Sequence, residues 1–291
     1  MSAFLYYIII YPLSRLSFSA LYRISDFIFW VMYYLTPYRK KVVFENLTRS
    51  FPNKSSDEIK SIAKKFYQHF CDLTLESIKM FSISKDEISQ HVIFNDMTVF
   101  HKLYAEGKSV VFGGGHYNNW EMFGVAVQLG IPHKCLALYH PLSNKWFDKK
   151  MKESRGQFGL NMWSTKLSKE MFETEKGNIT LSVFGMDQSP SSANRCHWMT
   201  FLNQDTGVSY GVEKFAKDYN LPVIYGRINK IKRGYYSLDV ELVTGEPTTW
   251  PKGAIVEKLT QLLETDINNI PEYWLWTHRR WKKKKPEIIT Q

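Results

Sequence analysis

Short apolar runs that alternate with helix-period segments constrain this chain more than any other feature. From residue 92 onward, strand-like runs lie at 109–112, 134–139, 179–184, 222–227 and 235–243. Candidate helices at 98–106, 118–129, 144–158, 168–176, 209–219 and 252–268 precede, separate and follow them. Strands that alternate with helices predict an α/β fold, a mixed and mostly parallel sheet flanked by helices. Tyr235 to Val243 alternates polar and apolar residues, which predicts a half-exposed antiparallel strand. Upstream, Ser55-Ser56-Asp57-Glu58 is a helix-start signal. That helix is expected to run to about Met80, with Ile59, Ile62, Ala63, Phe66, Phe70, Leu73 and Ile78 on one side.

The most pointed local pattern lies where the first of the five strands ends. Ser109-Val110-Val111-Phe112 leads into Gly113-Gly114-Gly115-His116-Tyr117-Asn118-Asn119-Trp120-Glu121. Three glycines permit a sharp turn and a close approach of backbone to ligand. Asn118 is read as the N-cap of the next helix, with Glu121 in its first turn. Residues five apart on an ideal helix point roughly 140° apart. His116 and Glu121 therefore meet only if the histidine lies in the turn before the helix. Glu121 would then hold one imidazole nitrogen and leave the other to take a proton. No protein nucleophile stands beside this pair in the sequence. The expected chemistry is proton removal from a substrate hydroxyl or amine. The competing reading is a purely structural His–Glu contact.

The charge balance narrows the partners. A formal net charge of +10 over 291 residues points to an anionic surface: phospholipid, nucleic acid or an acidic carrier protein. No recognition helix, RNP-like strand or zinc finger accompanies the basic residues, so nucleic acid is not expected. Aromatic residues make up 15% of the chain, an excess that suits lipid contact or an aromatic-rich core. Cys71, Cys135 and Cys196 are too scattered for a disulfide framework or a metal site, which fits a reducing compartment.

The first 37 residues carry two apolar runs, Phe4 to Tyr11 and Ile24 to Leu35, broken by Pro12 and Arg15. Neither reaches the ~20 residues that span a bilayer. They are expected to form an interrupted membrane helix or a pair of helices lying in the interface; a hairpin packed on the protein is the alternative. Arg39-Lys40-Lys41 follows directly and marks the cytoplasmic side. Residues 38–291 are expected to form a single α/β domain behind this anchor.

Four more places are candidates. Arg155 ends a predicted helix, where a cation favours the helix dipole. Asp187-Gln188 lies just past the 179–184 strand, where α/β sheets place ligands, although Ser189-Pro190 also reads as a turn. Gly207 to Ala216, which contains Glu213, opens a helix able to approach a substrate or simply to pack closely, and Arg227 ends a late strand. Near the C-terminus, Trp274-Leu275-Trp276-Thr277-His278-Arg279-Arg280-Trp281-Lys282 joins rings to cations, as at a headgroup interface.

The motifs in this order resemble the lysophospholipid acyltransferase superfamily. The Glu variant in Gly-His-Tyr-Asn-Asn-Trp-Glu, the early Arg-Lys-Lys-Val and Ser-Phe-Pro, and the late Trp-x-His-Arg-Arg are similar to its branch of late (secondary) lipid A acyltransferases. The resemblance implies a glycerol-3-phosphate acyltransferase-like fold on the cytoplasmic face of the inner membrane. It implies His116, Glu121 and Arg155 as catalytic, with Arg155 a cation for a phosphate or an oxyanion. Gly115, Asn118, Asn119, Asp187, Gln188, Arg227, Arg279 and Arg280 are the implied substrate-binding residues, with Asn194, Arg195 and His197 as weaker candidates. The acyl donor would be an acyl-carrier protein or acyl-CoA and the acceptor a lipid A precursor, lysophospholipid or aminolipid. No metal or prosthetic group is implied. A hydrolase using the same base and a non-catalytic lipid-binding module are the alternative functions.

Overall fold

The computed structural model describes residues 2–36 and 38–286. Among the described residues nine strands form, in chain order: β1 (Val92–Phe94), β2 (Val110–Gly114), β3 (Lys134–Tyr139), β4 (Asn161–Ser164), β5 (Thr180–Gly185), β6 (His197–Phe201), β7 (Gln204–Val208), β8 (Val223–Lys232) and β9 (Tyr235–Thr244). Seven make one sheet in the order β1-β9-β8-β2-β5-β3-β4. Every pairing in it is parallel except β8 with β9, the half-exposed strand expected to be antiparallel. β6 and β7 form a separate antiparallel hairpin. The fold is thus the mixed, mostly parallel α/β sheet that the alternation predicts.

All five predicted strands are present within a few residues. β1, β4 and the β6–β7 hairpin were not anticipated. β1 and β4 are edge strands of only three and four residues. The hairpin reads as a loop because Gln204 and Asp205 interrupt any apolar run.

The main helices are α1 (Ser2–Ser14) and α2 (Phe18–Leu35), each including a π-helical stretch, then α3 (Lys40–Ser50), α4 (Ser56–Lys79), α5 (Lys85–His91), α6 (Thr98–Ala105), α7 (Trp120–Gly130), α8 (Lys145–Gly156), α9 (Ser168–Thr174), α10 (Gly211–Asp218) and α11 (Ala254–Asn269). α4 begins where the sequence places it. Ser55 Oγ accepts from the Glu58 amide while Glu58 reaches back to the Ser55 amide, a reciprocal capping box.

Successive residues of a strand face opposite sides of a sheet. Accordingly Val111 joins one buried cluster, with residues of α4, α10 and α11, while Val110 and Phe112 join a second with residues of α5, α6 and α7. The sheet is therefore covered on both faces. Each fully buried Val, Leu or Phe contributes about 1.5–3 kcal/mol.

No single helix among the described residues is long and apolar enough to cross a membrane; α1 and α2 meet those measures only together, bent by 118°. Their outward side is strongly apolar, with Phe4, Leu5, Tyr7, Ile8, Ile9, Phe27, Trp30, Tyr34 and Leu35 all exposed. The inward side packs on α4, where Ser25 Oγ donates to Asp72 at 2.7 Å and Tyr22 Oη to Glu76 at 2.8 Å.

Candidate active site

β2 and β5 are adjacent and parallel, in register from Val110 opposite Leu181 to Gly114 opposite Gly185. Parallel neighbours release the residues beyond their C-terminal ends at the same level. Two positions past the ladder, His116 Nδ1 meets Asp187 Oδ1 at 2.6 Å. The second Asp187 oxygen accepts from the His116 backbone amide at 2.8 Å and from Trp274 Nε1 at 2.8 Å. The Gln188 side-chain nitrogen sits 3.2 Å from His116 Nε2. The arrangement fits an imidazole with its proton on Nδ1, toward the carboxylate, and its lone pair on Nε2.

Burial is the largest influence on the His116 ring and opposes its charge, but the Asp187 charge and hydrogen bond outweigh it, so the pKa is raised. Burial likewise pushes Asp187 upward. The His116 charge, hydrogen bonds from His116 ring and backbone, and the Trp274 bond overcome it, so the Asp187 pKa is lowered.

The expected His116–Glu121 hydrogen bond is not made. Glu121 does lie in the first turn of α7, but its carboxylate takes a bidentate pair with Arg155, Nε to Oε2 at 2.8 Å and Nη2 to Oε1 at 2.5 Å. Trp120 Nε1 adds a bond to Glu121 at 3.2 Å. A planar guanidinium fork outcompetes a single ring nitrogen for a carboxylate. Glu121 still acts on His116 through its charge, which favours the protonated ring.

The cap and the glycines also differ from expectation. Asn119, not Asn118, caps α7, accepting from the Met122 amide at 2.8 Å. Asn118 sits one position earlier in the left-handed region, φ 53°, with Nδ2 donating to the Ile228 carbonyl at 2.7 Å. Asparagine tolerates that conformation better than most residues. Gly113 to Gly115 have no positive φ, and the first two lie inside β2. Gly113 and Gly115 serve close packing instead, whereas a Cβ on Gly114 would make only ordinary contacts. A Cβ on Gly113 would stand 3.1 Å from Leu259, and one on Gly115 2.7 Å from Leu263, both on α11.

A groove of about 840 Å³ opens over the dyad. His116, Glu121, Arg155, Gln188 and Arg227 supply polar groups; Phe112, Phe123, Val127, Leu160, Met162 and Ile228 are among its apolar lining. Gly115 also lines it, while Asn118 and Asn119 are buried and committed to internal bonds. Arg227 is paired with Asp266, which also accepts from Tyr225 Oη at 2.6 Å.

Of the 207–216 stretch, Ser209, Gly211 and Phe215 line the groove, while the other candidates are not part of its lining. Arg279, Asn194 and Arg195 are exposed, and His197 faces Glu257 at 3.4 Å. Arg280 is 3% exposed and donates to the Gly207 carbonyl at 2.7 Å. Glu213 is buried and accepts from the amides of Gly253, Ile255 and Val256, so it caps α11. The C-terminal rings do not form a surface strip: Trp274 and Trp276 are 1% and 0% exposed. Trp274 floors the dyad, because an indole N–H is a donor that a buried carboxylate can use, while Trp276 Nε1 donates to the Pro271 carbonyl at 2.6 Å. The role of Trp274 leaves no local signal, since its partner is 87 positions away.

The geometry unites a carboxylate-held imidazole, an ion pair and an apolar cleft. It can take a proton from a bound nucleophile while a hydrocarbon lies alongside. A search among curated proteins gives no match to this chain. The family model described as bacterial lipid A biosynthesis acyltransferase matches residues 1–283, nearly the whole length, and the chain belongs to that acyltransferase family.

Proposed function

We propose that the protein moves a fatty acyl group from an acyl thioester to a hydroxyl of a lipid A precursor, as a member of the late branch. The carrying observation is the His116–Asp187 pair, whose Nε2 side opens on a groove with an apolar wall. The acceptor hydroxyl displaces the Gln188 amide and gives its proton to Nε2 as its oxygen attacks the thioester carbonyl. Asp187 holds the imidazolium that results. Arg155 has guanidinium donors beyond the two that Glu121 takes, and these face the developing oxyanion. Collapse breaks the carbon–sulfur bond, and the thiolate takes the proton back from His116. The acyl chain lies along Phe123, Val127, Leu160 and Met162, gaining about 0.8 kcal/mol per buried CH₂.

The exposed aromatic side of α1 and α2, beside Arg39, Lys40 and Lys41, supports seating on an anionic leaflet on the cytoplasmic side. The basic balance of the chain favours an acidic carrier protein as donor. The test is mass spectrometry of lipid products formed by the full chain in anionic vesicles, with acyl-carrier protein and acyl-CoA donors offered separately. A product heavier by one acyl group, lost in His116→Ala, is the expected result. Free fatty acid at equal yield without acylated lipid overturns the reading in favour of hydrolysis.

A further inference from the structure

The end of α4 has two separate holds on the active site. The Glu76 carboxylate is 1% exposed and accepts three hydrogen bonds: from Asn119 Nδ2 at 2.6 Å, Tyr236 Oη at 2.8 Å and Tyr22 Oη at 2.8 Å. Four residues on, the Met80 carbonyl accepts from Ser154 Oγ at 3.0 Å and Gln157 Nε2 at 2.8 Å. Asn119 caps α7 and so fixes the turn that carries Glu121. Ser154 and Gln157 flank Arg155. One helix end thereby sets both halves of the Glu121–Arg155 bridge.

The N-terminal helices are built into this frame. Tyr22 of α2 supplies one of the three bonds to Glu76. Lys79 Nζ donates to the Leu16 carbonyl at 3.1 Å and Ser82 Oγ to the Ser14 carbonyl at 2.7 Å, at the bend between α1 and α2. A buried carboxylate whose hydrogen-bond donors are all neutral is costly, and a well-packed apolar residue would serve stability as well or better. What an apolar residue cannot do is hold three donors from three elements in fixed directions.

We propose that Glu76 is a positioning residue for acyl transfer, and that Tyr22 makes the N-terminal helix pair part of the same device. Seating of α2 against α4 completes the Glu76 cluster, which fixes the Asn119 cap and through it the Glu121–Arg155 bridge. The proposal rests on the reading of the His116 groove as the acyl-transfer site.

The test is steady-state kinetics of the full chain in anionic vesicles, with an acyl-carrier-protein thioester and a lipid A precursor. It compares wild type, Glu76→Gln, Tyr22→Phe, Ser25→Ala and His116→Ala. Ser25→Ala removes the bond to Asp72 between the same two helices but touches neither Glu76 nor the groove. The expected result is a kcat about tenfold lower in Glu76→Gln and about threefold lower in Tyr22→Phe, with KM for the acceptor unchanged, because small misplacements of catalytic groups act on rate. Ser25→Ala keeps wild-type kcat at a Tm lowered as far as in Tyr22→Phe. Hydrogen exchange at the Met122 amide quickens in Glu76→Gln and Tyr22→Phe and not in Ser25→Ala. Wild-type kcat in both Glu76→Gln and Tyr22→Phe, with His116→Ala inactive, overturns the proposal and leaves the acyl-transfer reading standing. Full activity in His116→Ala overturns both. If Glu76→Gln does not fold, Tyr22→Phe carries the test alone, since it keeps the ring that packs on Arg233 at 4.4 Å.

Discussion

Asp187 grips His116 at two points, the ring Nδ1 at 2.6 Å and the backbone amide at 2.8 Å. The first contact aims the imidazole and the second fixes the turn that carries it. Trp274 then fills a further lone pair of the same carboxylate, so the orienting group is itself oriented. Such two-layer support suits the proposed role of His116 as a base, because proton transfer requires a tightly held group.

Replacing Asp187 by asparagine keeps the shape and removes the charge. We expect kcat to fall by about 10²–10⁴, the usual worth of a well-held base. The base must be neutral to act, so in the wild type kcat/KM climbs as pH rises through a value above the ordinary 6.5 of histidine. In Asp187→Asn that limb moves to lower pH, because burial then acts without the carboxylate. Stability follows the same linkage. The His116 contribution is full below 6.5 and lost as pH rises through its raised value. The Asp187 contribution is present above 3.8 and lost as pH falls through its lowered value. Thermal melts of wild type and Asp187→Asn between about pH 3 and pH 8 should therefore differ most in the middle of that range.

The Glu121–Arg155 bridge should behave as one unit. Glu121→Gln and Arg155→Gln are each expected to lose at least about tenfold in kcat, and the double variant little more than the worse single one. Arg155→Lys should not restore activity, because an ammonium cannot make the paired bonds. Additive losses in the double-mutant cycle would refute the coupling.

Gly115→Ala places a methyl 2.7 Å from Leu263. Overpacking of this kind costs about 1–3 kcal/mol. Urea melts should show that loss, and Leu263→Val in the same chain should return part of it. Unchanged stability in Gly115→Ala would mean that α11 does not press on the strand end.

Gly124 lines the groove from α7, and a Cβ there would meet nothing within 4 Å. Gly124→Leu should fold normally and occupy space meant for the acyl chain. Each CH₂ excluded costs about 0.8 kcal/mol, roughly fourfold in donor preference. Competition between long and short acyl donors, read by mass spectrometry of the product, should shift toward the short one. An unaltered product ratio would place the acyl chain elsewhere.

Local chemistry made much of this protein readable. The five main strands, the six helices around and between them and the start of α4 follow from apolar period and capping residues, which act over a few positions. Asp187 was legible as a residue at a strand end, yet its partner was not, because the pairing depends on β5 lying beside β2 in a particular register. Glu121 went to Arg155 for the same kind of reason: α8 brings a two-pronged donor that no spacing within the motif reveals. In the sequence the glycines suggest flexibility, but Gly113 and Gly115 provide clearance, since Leu259 and Leu263 arrive from a helix more than a hundred residues later. The late Trp-rich stretch looked like a surface strip because tryptophan suits interfaces, but burial depends on what covers a ring.

The sequence alone determined the element types, the α/β class, the family resemblance and the histidine at its centre, because each is written in contiguous residues. Only the tertiary structure decided which carboxylate serves that histidine, which cation answers Glu121 and why Gly113 and Gly115 carry no side chain. Those outcomes are contests among distant groups for the same few hydrogen bonds and the same few ångströms of space. Sheet register and helix packing settle such contests, and no local stretch of chain contains them.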